Sequence, residues 1–356
     1  MTSTSEQATT AGRTTAGSPP AADTAGRAHV TTALRAAVDE AINRFAPGSA
    51  TATVLQHAAN LVVRAGAPGR TVVIKACGPD TDLATARRHA STSCWLLGQG
   101  IVTASPLTEP WLAASGHAVA VYEDLGTGRK ATGAELGTLL RQLHACPVPT
   151  DLELPRLNPV HRLPQQLEQL PRGTLASCLP PGADPDSVRA QLLDRYQRDI
   201  AAWHTAADAH PHGVVHGDLG PSNSLLTARG PAVLDLESFS TGPQPWDLIL
   251  QAWNAATGQA PAPDHYQQLA AAYGADPAHT DPVLREAMFA VLALNGATRL
   301  AVLSDIDPRW TPLAAARLHD VLSEQPLPWT WRVPHTLLAP LVQHHPTHRT
   351  GTPPAA

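Results

Sequence analysis

Along the chain, the spacing of apolar positions changes character more than once. Leu34, Val38, Ile42 and Phe45 recur at helical spacing until Pro47-Gly48 ends the pattern, which predicts a short amphipathic helix. Thr51 to Leu55, Leu61 to Arg64 and Thr71 to Ala76 then read as strands, the last two joined by the turn residues Gly66-Ala67-Pro68-Gly69. Consecutive strands of this kind predict a small antiparallel sheet. A helix over Thr81 to Leu97 and a further strand pair ending at Ala118 to Tyr122 complete this part. From Thr132 the period is helical: Thr132-x-x-Glu135 is a capping box ahead of Leu136, Leu139, Leu140 and Leu143. Ser187 to Asp208, Asp247 to Ala256 and Leu284 to Asp305 are the longest later helices. The expected class is α+β in two lobes, a small sheet-rich N-lobe over residues 28–126 and a larger helical C-lobe over 127–345. Residues 1–27 and 346–356 hold too few apolar side chains to order themselves and are expected as disordered tails.

Charge narrows the possible partners. The 356 residues carry 25 basic and 30 acidic side chains, a net charge of −5, which leaves no basic footprint for nucleic acid. No apolar run approaches the roughly 20 residues that span a bilayer, so no membrane partner is expected. Cys77, Cys94, Cys146 and Cys178 form no CxxC pair, which points to reduced thiols and a cytoplasmic location rather than a zinc site. Only Lys75 and Lys130 among the 25 basic residues are lysine. Arginine's wide fork cannot replace a compact ammonium in a tight site, so a retained lysine invites a specific role.

One segment breaks the helical pattern, HGVVHGDLGPSNSLLTARGPAVLDLESF at 212–239. Ser224 to Thr227 and Ala232 to Leu234 flank the turn cluster Ala228-Arg229-Gly230-Pro231 and are expected to pair as a hairpin. With Ser224 opposite Leu234, Asn223 and Asp235 face each other at about 4.5 to 5.5 Å, a separation at which two oxygen ligands can close on one Mg²⁺. Asp218 lies in a loop opened by Gly217 and turned by Gly220-Pro221. A carboxylate there can accept the proton of a substrate hydroxyl as it attacks phosphorus. His210, His212 and His216 are weak as a transition-metal set because Pro211 disturbs their spacing. No P-loop, dinucleotide fingerprint or nucleophile elbow occurs.

The run His216-Gly217-Asp218-Leu219-Gly220-Pro221-Ser222-Asn223, with Val233-Leu234-Asp235-Leu236-Glu237 and Trp246-Asp247-Leu248, resembles the catalytic and metal-binding motifs of the aminoglycoside phosphotransferase and choline kinase family. The resemblance extends to Val72-Val73-Ile74-Lys75 and to Val121-Tyr122-Glu123-Asp124-Leu125. It implies a protein-kinase-like fold and transfer of phosphate from ATP or GTP, with Mg²⁺, to a hydroxyl of a small molecule. Residue by residue, it implies Asp218 as catalytic base, Asn223 and Asp235 as metal ligands, and Lys75 on the α and β phosphates. Glu123 falls in the hinge that meets adenine, His216 holds the catalytic loop, and Glu237 supports the metal through water. Asp247 either braces that loop or caps the helix after Pro245.

Two departures stand out. The turn Gln56-His57-Ala58-Ala59-Asn60 has no glycine where protein kinases cover the phosphates with a glycine-rich loop. The helix after Lys75 places His89 where the family supplies a glutamate for the lysine, leaving Asp80 or Asp82 as substitutes. An antibiotic is the expected acceptor, with a resistance or self-protection role. The alternatives are a choline or amino alcohol kinase and a catalytically impaired nucleotide-binding regulator. Residues 151–356 hold 20 acidic and 13 basic side chains, a thin excess for a polycation once the site carboxylates are set aside. The Leu- and Pro-rich stretch Asp151 to Ala183 is expected to form a partly apolar acceptor pocket.

Overall fold

The computed structural model describes residues 21–49, 51–57, 60–67 and 70–323, with Trp329, Trp331 and Val333. The N-lobe begins with α1 (Ala21–Phe45), whose start lies inside the stretch expected as a tail. Residues 1–20 and the expected tail at 346–356 lie outside the described residues, as do Ala58 and Ala59 of the glycine-free turn. Five antiparallel strands follow: β1 (Thr51–His57), β2 (Leu61–Ala67) and β3 (Arg70–Ala76), then, after helix α2 (Leu83–Gly98), β4 (Trp111–Leu112) and β5 (Ala118–Glu123). Their order in the sheet is β1-β2-β3-β5-β4. Side chains alternate across a strand, and β3 uses this period to separate two tasks. Val72, Ile74 and Ala76 are buried in the same cluster as Leu34, Ala37, Val38 and Ala41 of α1, whereas Val73 and Lys75 line the cleft on the opposite side.

The C-lobe opens with α3 (Gly133–His144), started by a complete capping box between Thr132 and Glu135. After α4 (Leu163–Gln169), α5 (Arg172–Ser177) and α6 (Pro185–Asp208) the chain makes two short ribbons. In one, β6 (His212–Val215) pairs with β9 (Ser240–Pro243); in the other, β7 (Ser224–Thr227) pairs with β8 (Gly230–Val233). Helices α7 (Pro245–Ala256), α8 (His265–Tyr273), α9 (Pro277–Thr280), α10 (Pro282–Ile306) and α11 (Thr311–Leu322) complete the lobe.

Most leucines of the 151–183 stretch belong to the core, whereas Leu152 lines a shallow surface pocket with Trp95 and Pro110. Leu157, Leu163, Leu167 and Leu175 are buried in the C-lobe core with Leu192 of α6, Ile249 of α7 and Leu294 of α10. By length and composition α10 reaches the range of a membrane span, which the sequence pattern did not anticipate. More than half of that window is buried, and Leu284, Met288 and Val291 pack into the same core. A third apolar cluster, including Leu96 of α2, Leu136 and Leu140 of α3, Val233 of β8 and Leu236, joins the lobes beneath the cleft.

Helices α3 and α8 pack backbone to backbone, because Gly133 and Gly137 present no side chain to them. A Cβ at Gly137 would lie 2.2 Å from the Leu269 carbonyl oxygen, and one at Gly133 2.2 Å from that of His265. Gly137→Ala should therefore destabilise the fold by about 1 to 3 kcal/mol net, despite a helix-propensity gain of about 1 kcal/mol. A lowered melting midpoint is the expected outcome, and an unchanged or raised one would contradict this packing.

Candidate functional site

Between the sheet and the C-lobe lies a cleft of about 320 Å³ whose lining includes Lys75, His89, Tyr122, Glu123, Asn223 and Asp235. The pleat of β3 sends Lys75 into it, and the ammonium meets two carboxylates from the opposite lobe. Lys75 Nζ is 3.1 Å from Asp235 Oδ1 and 2.5 Å from Glu237 Oε1. Burial works to lower the Lys75 pKa, but the Asp235 and Glu237 charges outweigh it and hold the group above its ordinary value. Asp80 instead pairs with Arg162 at 3.0 Å, and Asp82 caps α2 by accepting from the Thr85 N–H at 2.8 Å. Neither is the partner of Lys75. Burial, reinforced by Lys75 and Arg88, pushes the His89 imidazole down to about 4, so it is neutral at physiological pH.

The loop that carries Asp218 is fixed by its neighbours. Gly217 has φ +83°, a left-handed conformation natural to glycine, and a Cβ there would lie 2.5 Å from the Ser238 carbonyl oxygen. His216 is fully buried. Its Nε2 donates to the Leu234 carbonyl at 2.9 Å and its Nδ1 lies 3.2 Å from the Asp218 backbone nitrogen, so both ring nitrogens are engaged. Asn223 Nδ2 donates to the Asp218 carbonyl at 2.8 Å and to its Oδ2 at 3.1 Å. Burial raises the Asp218 pKa, with His216 and Arg299 pulling the other way.

The hairpin register differs from expectation by one residue. Ser224 pairs with Val233, and the Leu234 N–H donates to the Asn223 carbonyl at 2.9 Å, so Leu234 and not Asp235 lies opposite Asn223. A one-residue slip alone would turn the Asp235 side chain to the other face. Asp235 instead has φ 54°, the only non-glycine residue in left-handed conformation among those described, and it leads into a 3₁₀ turn at Leu236–Ser238. That kink carries the carboxylate to Lys75. Such a conformation costs on the order of 1 kcal/mol or more and persists where its surroundings over-determine it.

Below the loop sits Asp247, with no exposed surface. Gln244 occupies the cap position of α7, so the Asp247 carboxylate does not cap this helix. It accepts from the His216 N–H at 2.8 Å, the Gly217 N–H at 2.9 Å and His144 Nε2 at 3.0 Å. Burial raises its pKa, and the His144 and His216 contacts more than reverse this, leaving it below the usual value. Trp246 Nε1 donates to the Gly217 carbonyl at 2.9 Å, and Gln251 Nε2 to that of Leu219 at 2.6 Å. Glu123 lines the cleft, but its carboxylate pairs with Arg229 at 2.6 Å and its N–H donates to the Ser105 carbonyl at 2.8 Å.

Sequence reasoning passed over His144, Gln251 and Asn60. Asn60 is buried, accepts from the Gly78 N–H at 2.9 Å and donates to Glu237 Oε1. Nothing within a few residues of these positions signals their distant partners. The other histidines do not converge: His210 pairs with Asp281 at 2.8 Å and His212 lies 3.3 Å from the Ala207 carbonyl. Among the described residues no cluster of three His, Cys, Asp or Glu side chains forms a metal cage. The oxygens of Asn223 and Asp235 suit a hard cation that keeps water and phosphate as further ligands, as Mg²⁺ does.

Asp247→Ala would strip a buried acceptor from two loop amides and from His144. The expected loss is about 3 to 5 kcal/mol, read as a lower midpoint in urea unfolding; a loss below about 1 kcal/mol, ordinary for a single neutral hydrogen bond, would show that these contacts do not fix the loop.

The profile of a family described as APH, phosphotransferase enzyme family, matches residues 51–283. Among curated proteins no sequence matches the chain. Solved structures of small-molecule kinases share its fold, among them the following three. Spectinomycin phosphotransferase in complex with ADP and spectinomycin aligns over 81% of this chain and 94% of its own, at 15% identity and a TM-score of 0.52. Amicoumacin kinase in complex with AMP-PNP and Ca²⁺ aligns over 81% and 92%, at 14% identity and 0.56. A choline/ethanolamine kinase family protein from Mesorhizobium loti aligns over 81% and 95%, at 22% identity and 0.53. With the family profile spanning well over half of its length, the chain belongs to the phosphotransferase enzyme family.

Proposed function

We propose that the cleft transfers the terminal phosphoryl group of ATP to a hydroxyl of a small-molecule antibiotic. The observation that carries this reading is that Asp218 is locked by Asn223 beside the cleft in which Lys75 meets Asp235. Lys75 would contact the nucleotide phosphates, and Asn223 and Asp235 would hold Mg²⁺. When bound, the cation screens the charge on the transferring group. Asp218 takes the proton from the acceptor hydroxyl as its oxygen attacks phosphorus. A carboxylate whose pKa lies above its ordinary value is a stronger base toward the acceptor proton. The Asn223 amide on Oδ2 and the Asp247 carboxylate under His216 and Gly217 keep that base in place without contacting the substrate.

The ADP and AMP-PNP complexes of the similar structures support ATP as donor, and spectinomycin and amicoumacin, named in two of them, support an antibiotic acceptor. The choline/ethanolamine neighbour keeps a primary-metabolite acceptor as the second reading.

Incubation with ATP, Mg²⁺ and a panel of antibiotics, choline and ethanolamine, followed by mass spectrometry, should reveal one added phosphoryl group on an antibiotic. Transfer to choline or ethanolamine alone would establish the second reading instead. Asp218→Asn should reduce turnover at least about a hundredfold while ADP binding persists; unchanged turnover removes Asp218 from the role of base.

A further inference from the structure

We infer that Glu237 is the acidic partner that positions Lys75, supplied by the C-lobe in place of a carboxylate on α2. This inference rests on the phosphoryl-transfer function proposed above and assigns Glu237 to the lysine rather than to the metal.

Helix α2, Leu83–Gly98, contains no aspartate or glutamate, and its residue in the cleft nearest this role, His89, is neutral. A largely buried ammonium without a partner is costly, so the lysine must find its acid elsewhere. Two are in contact, Asp235 and Glu237, and they are not equivalent. Asp235 is the carboxylate assigned to the divalent ion, so its hold on Lys75 weakens when the cation and nucleotide are bound. Glu237 has its own support on the N-lobe side. The same oxygen that meets Lys75, Oε1, also accepts from Asn60 Nδ2. Asn60 cannot reverse its amide without loss, because its Oδ1 is taken by the Gly78 N–H at 2.9 Å. Asn60 immediately precedes β2 and Gly78 closely follows β3, so the socket is built by the strand carrying Lys75 and its neighbour. Glu237 arrives in it from the turn after Asp235, and the contact links the lobes. A water-mediated metal ligand would not need its oxygen directed into the N-lobe in this way.

The chain holds two lysines, so [¹⁵N]lysine labelling yields two side-chain ammonium signals, with exposed Lys130 as internal reference. In the native protein, with or without Mg²⁺·ADP, Lys75 should give an exchange-protected signal distinct from Lys130. Glu237→Gln should shift and broaden it and lower kcat/KM for ATP by about tenfold or more, the equivalent of one charge-assisted hydrogen bond. The double variant Glu237→Gln/His89→Glu returns a carboxylate from α2 and should recover the signal and most of the activity. An unmoved Lys75 signal in folded Glu237→Gln overturns the assignment. So does activity restored by excess Mg²⁺, or a loss that His89→Glu does not relieve, since both place Glu237 on the metal. If the native protein transfers no phosphate, the proposed function fails, and the Lys75 signal of the metal-free protein still decides the contact.

Discussion

A carboxylate with no exposed surface must gather hydrogen bonds or give up its charge, and much of this molecule is arranged around that demand at Asp247. Two backbone N–H groups of the loop leading to Asp218 and one ring N–H from α3 converge on it. Because the loop donors are His216 and Gly217, meeting the carboxylate's need also fixes the backbone two residues before Asp218. His144 is in turn held by the Tyr273 hydroxyl at 2.9 Å, so α3, α7 and α8 share one buried polar anchor. Gly133 and Gly137 bring α8 close enough to α3 for that contact to form.

Above this rigid base the lobes meet largely through charge. Lys75 with Asp235 and Glu237, Asn60 with Glu237, and Arg229 with Glu123 all cross the cleft. These contacts differ in worth. The Arg229 pair is largely solvent-exposed and contributes little. The Lys75 group is substantially shielded, so its partners matter more, and a nucleotide with its cation would redistribute them. The apolar cluster of Leu96, Leu136 and Val233 keeps the lobes joined while charges exchange partners above it.

The missing acid on α2 and the apolar stretch at 151–183 have different physical outcomes. Loss of an acid on α2 leaves Lys75 paired, because two carboxylates reach it from the other lobe. Several leucines of residues 151–183, by contrast, show that composition alone does not place a side chain. Apolar side chains suit a core as well as a pocket wall, and here Leu163 and Leu175 are completely buried.

What the sequence determined by itself is local. Alternation along β3, the capping box before α3 and the strand-loop-strand segment around Asp218 follow from backbone geometry that repeats within a few residues, and the motif residues are named by resemblance to the family. The hairpin register escaped by one position, because turn composition does not dictate which residue leaves the ladder, and only the left-handed Asp235 returns its carboxylate to the cleft. Tertiary structure alone decided the pairs His144 with Asp247, 103 residues apart, and Asn60 with Glu237, 177 apart. Such contacts exist only when the closed chain forces buried polar groups to satisfy one another, and no periodicity along the sequence records that requirement.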